Sequence, residues 1–128
     1  ITRHAPVFAS DIADRFTACS RITAQDVTEA KSVQQRVKQW AEHTITSNAI
    51  VVLPTTPGCA PLLSTPAVAL GEYRKQLLNL TAIAGLAGLP QLHLPLFSLN
   101  GAPCGLSFIG PVNSDLALIA LAQTLLEK

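Results

Sequence analysis

Charge is what this sequence has least of. Only 13% of its 128 residues are Asp, Glu, Lys or Arg, against roughly 25% in an ordinary soluble domain, while 48% are apolar. The deficit is local: residues 1–48 hold six Lys/Arg and five Asp/Glu, and residues 49–128 hold three of each. A segment so poor in charge cannot cover a large water-facing surface, so much of 49–128 is expected to be buried against something. A net charge of +1 gives no basic footprint for nucleic acid. Arg36 and Lys38 share their stretch with Glu29 and Glu42 and read as a solvated helix face.

Methionine is absent, and the chain opens on Ile1, which removal of an initiator Met does not normally expose; the expectation is a piece of a longer polypeptide. Ile1–Ser10 has no apolar core of signal-peptide length and is not expected to be a targeting segment. No apolar run approaches the roughly 18 residues of a membrane span, so neither a membrane nor nucleic acid is an expected partner. The three cysteines, Cys19, Cys59 and Cys104, form no CxxC and no Cys/His cluster. They read as free thiols in a reducing, cytoplasmic setting, with no metal or other cofactor expected.

What is present reads as alternating helix and strand. Ser10 is placed to cap a short helix ending near Ser20, with Ile12, Phe16 and Cys19 on one face. Thr23 caps a longer one whose apolar positions Val27, Ala30, Val33, Val37, Trp40 and Ala41 recur at three and four, with Trp40 anchoring the face. The unbroken run Ala49–Leu53, stopped at Pro54, predicts a central strand covered on both faces. Thr55–Gly58 reads as the turn at its carboxyl end and Cys59–Leu70 as an irregular loop. A helix from about Glu72 to Leu86 has almost no polar face and is expected to be enclosed, with Thr81 bonded to backbone one turn back or facing a cavity.

Gln91–Leu96 alternates, with Leu92, Leu94 and Leu96 on one side and His93, read as a structural residue, on the other. Pro95 belongs at a strand end or edge. Asn100-Gly101 is a hairpin signal, and Cys104–Gly110 is the partner strand. A last helix, Asp115–Glu127, capped from Asn113 or Ser114, would pack through Leu116, Ile119, Ala120 and Leu126.

From Val51 onward the ordered set Leu53-Pro54-Thr55, Pro57, Ala60-Pro61, Thr81, Ala87-Gly88-Leu89-Pro90, Leu94-Pro95, Ala102–Leu106, Phe108–Pro111 and Asp115 resembles the C-terminal part of the amidase signature family. Order and spacing agree over about eighty residues; residues 1–48, with Arg15-Phe16, fit more loosely. The resemblance implies an α/β fold, the C-terminal part of a mixed β-sheet covered by helices and incomplete in this chain, with 1–48 as helical cover and 49–128 as the sheet core of one domain. It implies hydrolysis of a non-peptide carboxamide to acid and ammonia or amine, by a Ser nucleophile, a second Ser in a cis peptide and a Lys base. A weakly nucleophilic hydroxyl needs such a base, and backbone N–H groups of a Gly/Ser-rich loop hold the oxyanion.

That catalytic segment is not in these residues. No Ser is flanked by Gly on both sides, no G-x-S-x-G occurs, and Lys31, Lys38, Lys75 and Lys128 have no partner of defined geometry. The chain alone is therefore expected to be inactive and prone to aggregate. It would be completed by an N-terminal part of the same protein, act on a small-molecule amide, and be compatible with a homo-oligomer. The resemblance sets Leu78 and Ala82, and beside them Lys75 and Asn79, toward the acyl group of substrate. Amidotransferase members of the family carry an acidic residue where Leu78 stands, which points away from that branch and toward an apolar acyl group. The other reading of the same residues is a non-catalytic α/β binding or assembly domain completed by a partner chain.

Overall fold

The computed structural model describes residues 3–4 and 6–127; Ile1 and Lys128 lie outside them. Two compact units divide the chain, Ile1–Val33 and Gln34–Lys128, and each is taken by itself.

The first unit contains helix α1, Ser10–Cys19, and the opening turns of α2, Ala24–Thr44. The N-cap of α1 is Ala9, not Ser10, and makes no side-chain capping bond; its extended backbone sets the helix start one residue earlier than the Ser suggests. Phe8 stacks on Phe16 with ring centroids 4.7 Å apart. The start of α2 is a capping box. Thr23 Oγ1 accepts from the Asp26 amide at 3.2 Å, and Asp26 Oδ2 accepts from the Thr23 amide at 2.8 Å, so two donors that a helix start leaves orphaned are satisfied reciprocally. These bonds hold the Asp26 carboxyl below its ordinary value.

The second unit is a three-layer arrangement. Strands β1 (Val51–Pro54), β2 (Gln91–Leu99) and β3 (Ala102–Ile109) form one antiparallel sheet in the order β1-β3-β2. On one face lie the end of α2 and helix α3, Ala67–Ala87: Ala41, Ile45 and Ala84 pack on Ile109, with Val51, Leu53, Ile83, Ala87 and Leu89 around them. On the other lies α4, Asp115–Leu126, whose Leu118 and Ala122 meet Leu94 and Phe108 beside Leu92, Leu106 and Leu121. Ile109, fully buried between these layers, contributes about 1.5–3 kcal/mol by burial.

The α/β class is as expected, and the particulars differ on every helix of the second unit and on β1. β1 is an edge strand here, with Val52 47% exposed; an unbroken aliphatic run signals two covered faces, and in this chain only one is covered. α3 begins at Ala67, five residues before Glu72, because Pro66 occupies its N-cap and leads into a helix instead of a loop. It is not enclosed: Ala84 alone is buried. Trp40 is 45% exposed and Val27 and Val33 are exposed too, so the end of α2 is anchored through Ala41, with Ile45 just past it. α4 packs through Leu118, Leu121 and Ala122, while Leu116 is 82% exposed and Ile119, Ala120 and Leu126 are also exposed.

Local signals held elsewhere. Thr81 Oγ1 donates to the Leu77 carbonyl at 3.0 Å. Gly88 ends α3 at φ +73°, its amide donating to Ala84. Asn100 and Gly101 turn the β2–β3 hairpin with φ of +52° and +79°. Ser114 is the N-cap residue of α4 but makes no capping bond, and its buried hydroxyl has no partner among the described residues. Pro95 sits in edge strand β2, inside a bulge: Pro95 and Leu96 together face the single residue Gly105. The bulge reverses the side-chain alternation, which is why Leu96 is exposed while Leu92 and Leu94 reach the core. Among the described residues no helix is long and apolar enough to cross a membrane.

Candidate functional site

Lys75, Leu78, Asn79 and Ala82 follow one another on α3 at spacings of three and four, so the helix stacks them on one side. That side faces away from the sheet. Leu78 is 64% exposed, Lys75 and Asn79 are exposed, and Ala82 is half-buried. Asn79 lines an open groove of ≈ 440 Å³ together with Pro54, Thr56, Pro57, Gln76 and Leu80. The groove lies at the carboxyl end of β1, where that strand hands over to the Thr55–Gly58 turn.

Four polar side chains beside this turn form a chain of hydrogen bonds on the α3 side of the sheet. The register places His93 opposite Ser107 and Ser107 opposite Leu53, while Gln91 pairs with Ile109; alternation then turns Gln91, His93 and Ser107 to the same face. Gln91 Nε2 donates to Ser107 Oγ at 2.7 Å, Ser107 Oγ lies 2.7 Å from Thr55 Oγ1, and Thr55 Oγ1 lies 2.5 Å from His93 Nδ1. Ser107 is 0% exposed, so its hydroxyl proton needs a protein acceptor. Donation to Thr55 supplies it: Gln91 donates to Ser107 and Ser107 to Thr55, which is bonded in turn to His93 Nδ1. The reverse direction would leave Ser107 accepting twice with its own proton stranded.

The effect of the chain is to fix Thr55, and with it the wall of the groove. Thr56 Oγ1 donates to the Gly58 carbonyl at 2.7 Å and completes the turn. Gly105 makes the arrangement feasible: a Cβ there would run into the Leu94 carbonyl and lie 2.5 Å from His93 Cε1. Sequence pattern gives His93 a structural part, and the structure supplies the bond it makes. The same pattern marks Thr55 and Thr56 as turn residues in preference to ligands and connects neither with Ser107 or Gln91. The available signal is the strand alternation that puts Gln91 and His93 on one face. Among the described residues no group of three or more His, Cys, Asp or Glu side chains could hold a metal ion, and Lys31, Lys38 and Lys75 make no ion pair. Lys128 lies outside the described residues.

No family model matches the chain. It is 27% identical to Amidase 1 of Arabidopsis thaliana over 120 residues, 94% of this chain and 28% of that protein. It is 33% identical to a glutamyl-tRNA(Gln) amidotransferase chain of Staphylococcus carnosus over 100 residues, 73% of this chain and 19% of that protein. Its fold superposes on a crystal structure of an amidase with a TM-score of 0.82 at 24% identity, covering 98% of this chain and 30% of that one. The chain is related to the amidase signature family over much of its length, and it spans less than a third of each of these proteins.

Proposed function

We propose that this chain is the C-terminal portion of an amidase signature hydrolase that cleaves a small-molecule carboxamide to acid and ammonia or amine. The observation that carries this reading is the relationship to Amidase 1 over 94% of the chain. In this reading the Ser–Ser–Lys machinery belongs to residues outside these 128, and this chain contributes one wall of the pocket. Leu78, Ala82, Lys75 and Asn79 point outward from α3 toward that pocket, and the uncovered apolar side of the helix meets the remainder of the enzyme. An apolar Leu78, not a carboxylate, favours an apolar acyl group over an acyl group carrying an amine or other cation, since a buried charge without a partner is costly.

The test is ammonia release from a panel of aliphatic, aromatic and amino-acid carboxamides by the full-length gene product. Aromatic or aliphatic amides are expected to turn over, and this chain alone is expected to release none. Leu78→Asp is expected to raise KM for the apolar amides by about tenfold or more, the cost of setting a carboxylate against an apolar acyl group, with a smaller effect on cationic ones. Turnover by the 128 residues alone, or a Leu78→Asp enzyme with unchanged KM for every amide, would count against the reading.

A further inference from the structure

Cys59 and Cys104 stand 45 positions apart in the chain, yet both lie at the turn end of the β2–β3 hairpin. The Cys59 thiol donates to the Leu99 carbonyl at 3.2 Å. Leu99 pairs with Ala102 as the last rung of the hairpin, and Cys104 stands opposite Phe97, the next rung on the same side. Thr55, four residues before Cys59, donates its amide to the carbonyl of Gly105, the chain neighbour of Cys104, so the segment after β1 starts beside that residue and reaches Leu99 at Cys59. Both are half-buried free cysteines. Burial first, and then the Cys59 thiol beside it, push Cys104 up from its ordinary value of 9.0, while the Leu99 backbone acts the other way. Cys19 belongs to the other unit and is exposed.

We propose that Cys59 and Cys104 are a redox-responsive dithiol that closes to an intramolecular disulfide under peroxide. One thiolate attacks a peroxide oxygen, giving a sulfenic acid and releasing water after proton uptake. The second thiolate then attacks the sulfenic sulfur, forming the S–S bond and releasing a second water. Two thiols lose two protons and two electrons, and one hydrogen peroxide becomes two waters. The bond would clip the segment after β1, which carries the groove residues Thr56 and Pro57, to strand β3 and so fix the groove wall covalently.

The test uses the full-length gene product carrying Cys19→Ser, treated with equimolar hydrogen peroxide in buffer and in guanidinium chloride. Free thiols are then blocked with N-ethylmaleimide and the peptides mapped without reduction. The expected result is a Cys59–Cys104 cross-linked peptide with loss of both alkylatable thiols, formed at least about tenfold faster in buffer than in denaturant because the fold holds the reacting groups together. Cys59→Ser or Cys104→Ser is expected to abolish the cross-link and leave the remaining thiol as a reducible sulfenic acid. Two thiols that remain alkylatable, a cross-link between chains instead of within one, or a rate that denaturant does not lower would overturn the proposal.

Discussion

Replacing Ser107 by Ala tests the polar chain directly. Ser107 is fully buried, accepts from Gln91 at 2.7 Å and lies 2.7 Å from Thr55. The mutation removes two hydrogen bonds, each contributing about 1 kcal/mol net, and leaves two former partners to find others. Thr55 keeps His93, and Gln91 is only half-buried, so water can reach its amide and the full desolvation penalty is not expected. Nor does the loss of one oxygen open a cavity of consequence. The sum is a loss of about 2 kcal/mol. Urea titration at submicromolar chain concentration, followed through Trp40, the single tryptophan, reads it as a lowered midpoint at constant slope. Thr55→Val removes a neighbouring link, and the double variant is expected to fall short of the sum of the singles by about 1 kcal/mol, because the two side chains share one bond. A Ser107→Ala loss under about 0.5 kcal/mol, or strict additivity with Thr55→Val, would show that the chain of bonds contributes nothing as a unit.

Two further perturbations address local structure. Gly105→Ala is expected to cost about 3 kcal/mol or more, because the new methyl meets the Leu94 carbonyl, which is backbone and cannot rotate away; amide exchange along β2 and β3 should accelerate, and unchanged protection there would refute the clash. Asp26 has a lowered folded value through its bonds to Thr23, so its contribution is complete above the ordinary 3.8 and is lost as pH falls through the folded value. Protection of the first-turn amides of α2 should therefore hold from neutrality to about pH 4 and decline below it, and Asp26→Ala should remove the decline.

The parts of this fold legible in the sequence are those fixed by neighbouring residues. Asn100-Gly101 needs positive φ at both positions, Gly88 needs it at a helix end, and Thr23 with Asp26 closes a ring of bonds within four residues. Where sequence pattern misleads, the outcome depends on distant partners. Apolar residues stand on nearly every side of Asp115–Leu126, and the one glutamine, Gln123, on the side of Leu116 and Ile119, is a weak signal beside them; the sheet chooses Leu118 and Ala122. The Pro95–Leu96 bulge shifts alternation by one, and a proline alone does not tell a bulge from a strand end. The candidate site is half legible for the same reason. Lys75, Leu78, Asn79 and Ala82 share a helix side by spacing, whereas the link from Thr55 to His93 crosses 38 residues and exists only through the register of two strand pairs.

The departures in burial share one direction. Val52, Leu78, Leu116, Ile119 and Trp40 are each expected inside and each lies outside, while no residue expected in water is found in the core. Random errors in periodicity would scatter both ways. A consistent excess of apolar positions over available cover is what a sequence shows when it was selected in contact with more protein than the 128 residues supply. The uncovered residues fall on β1, on the outward side of α3, along α4 and, for Trp40, on α2. The first two border the groove that Thr55 and Asn79 help to shape. In the amidase we propose, that is the side from which the catalytic residues would approach the amide, and it puts Leu78 where an acyl group and the rest of the enzyme would meet it together.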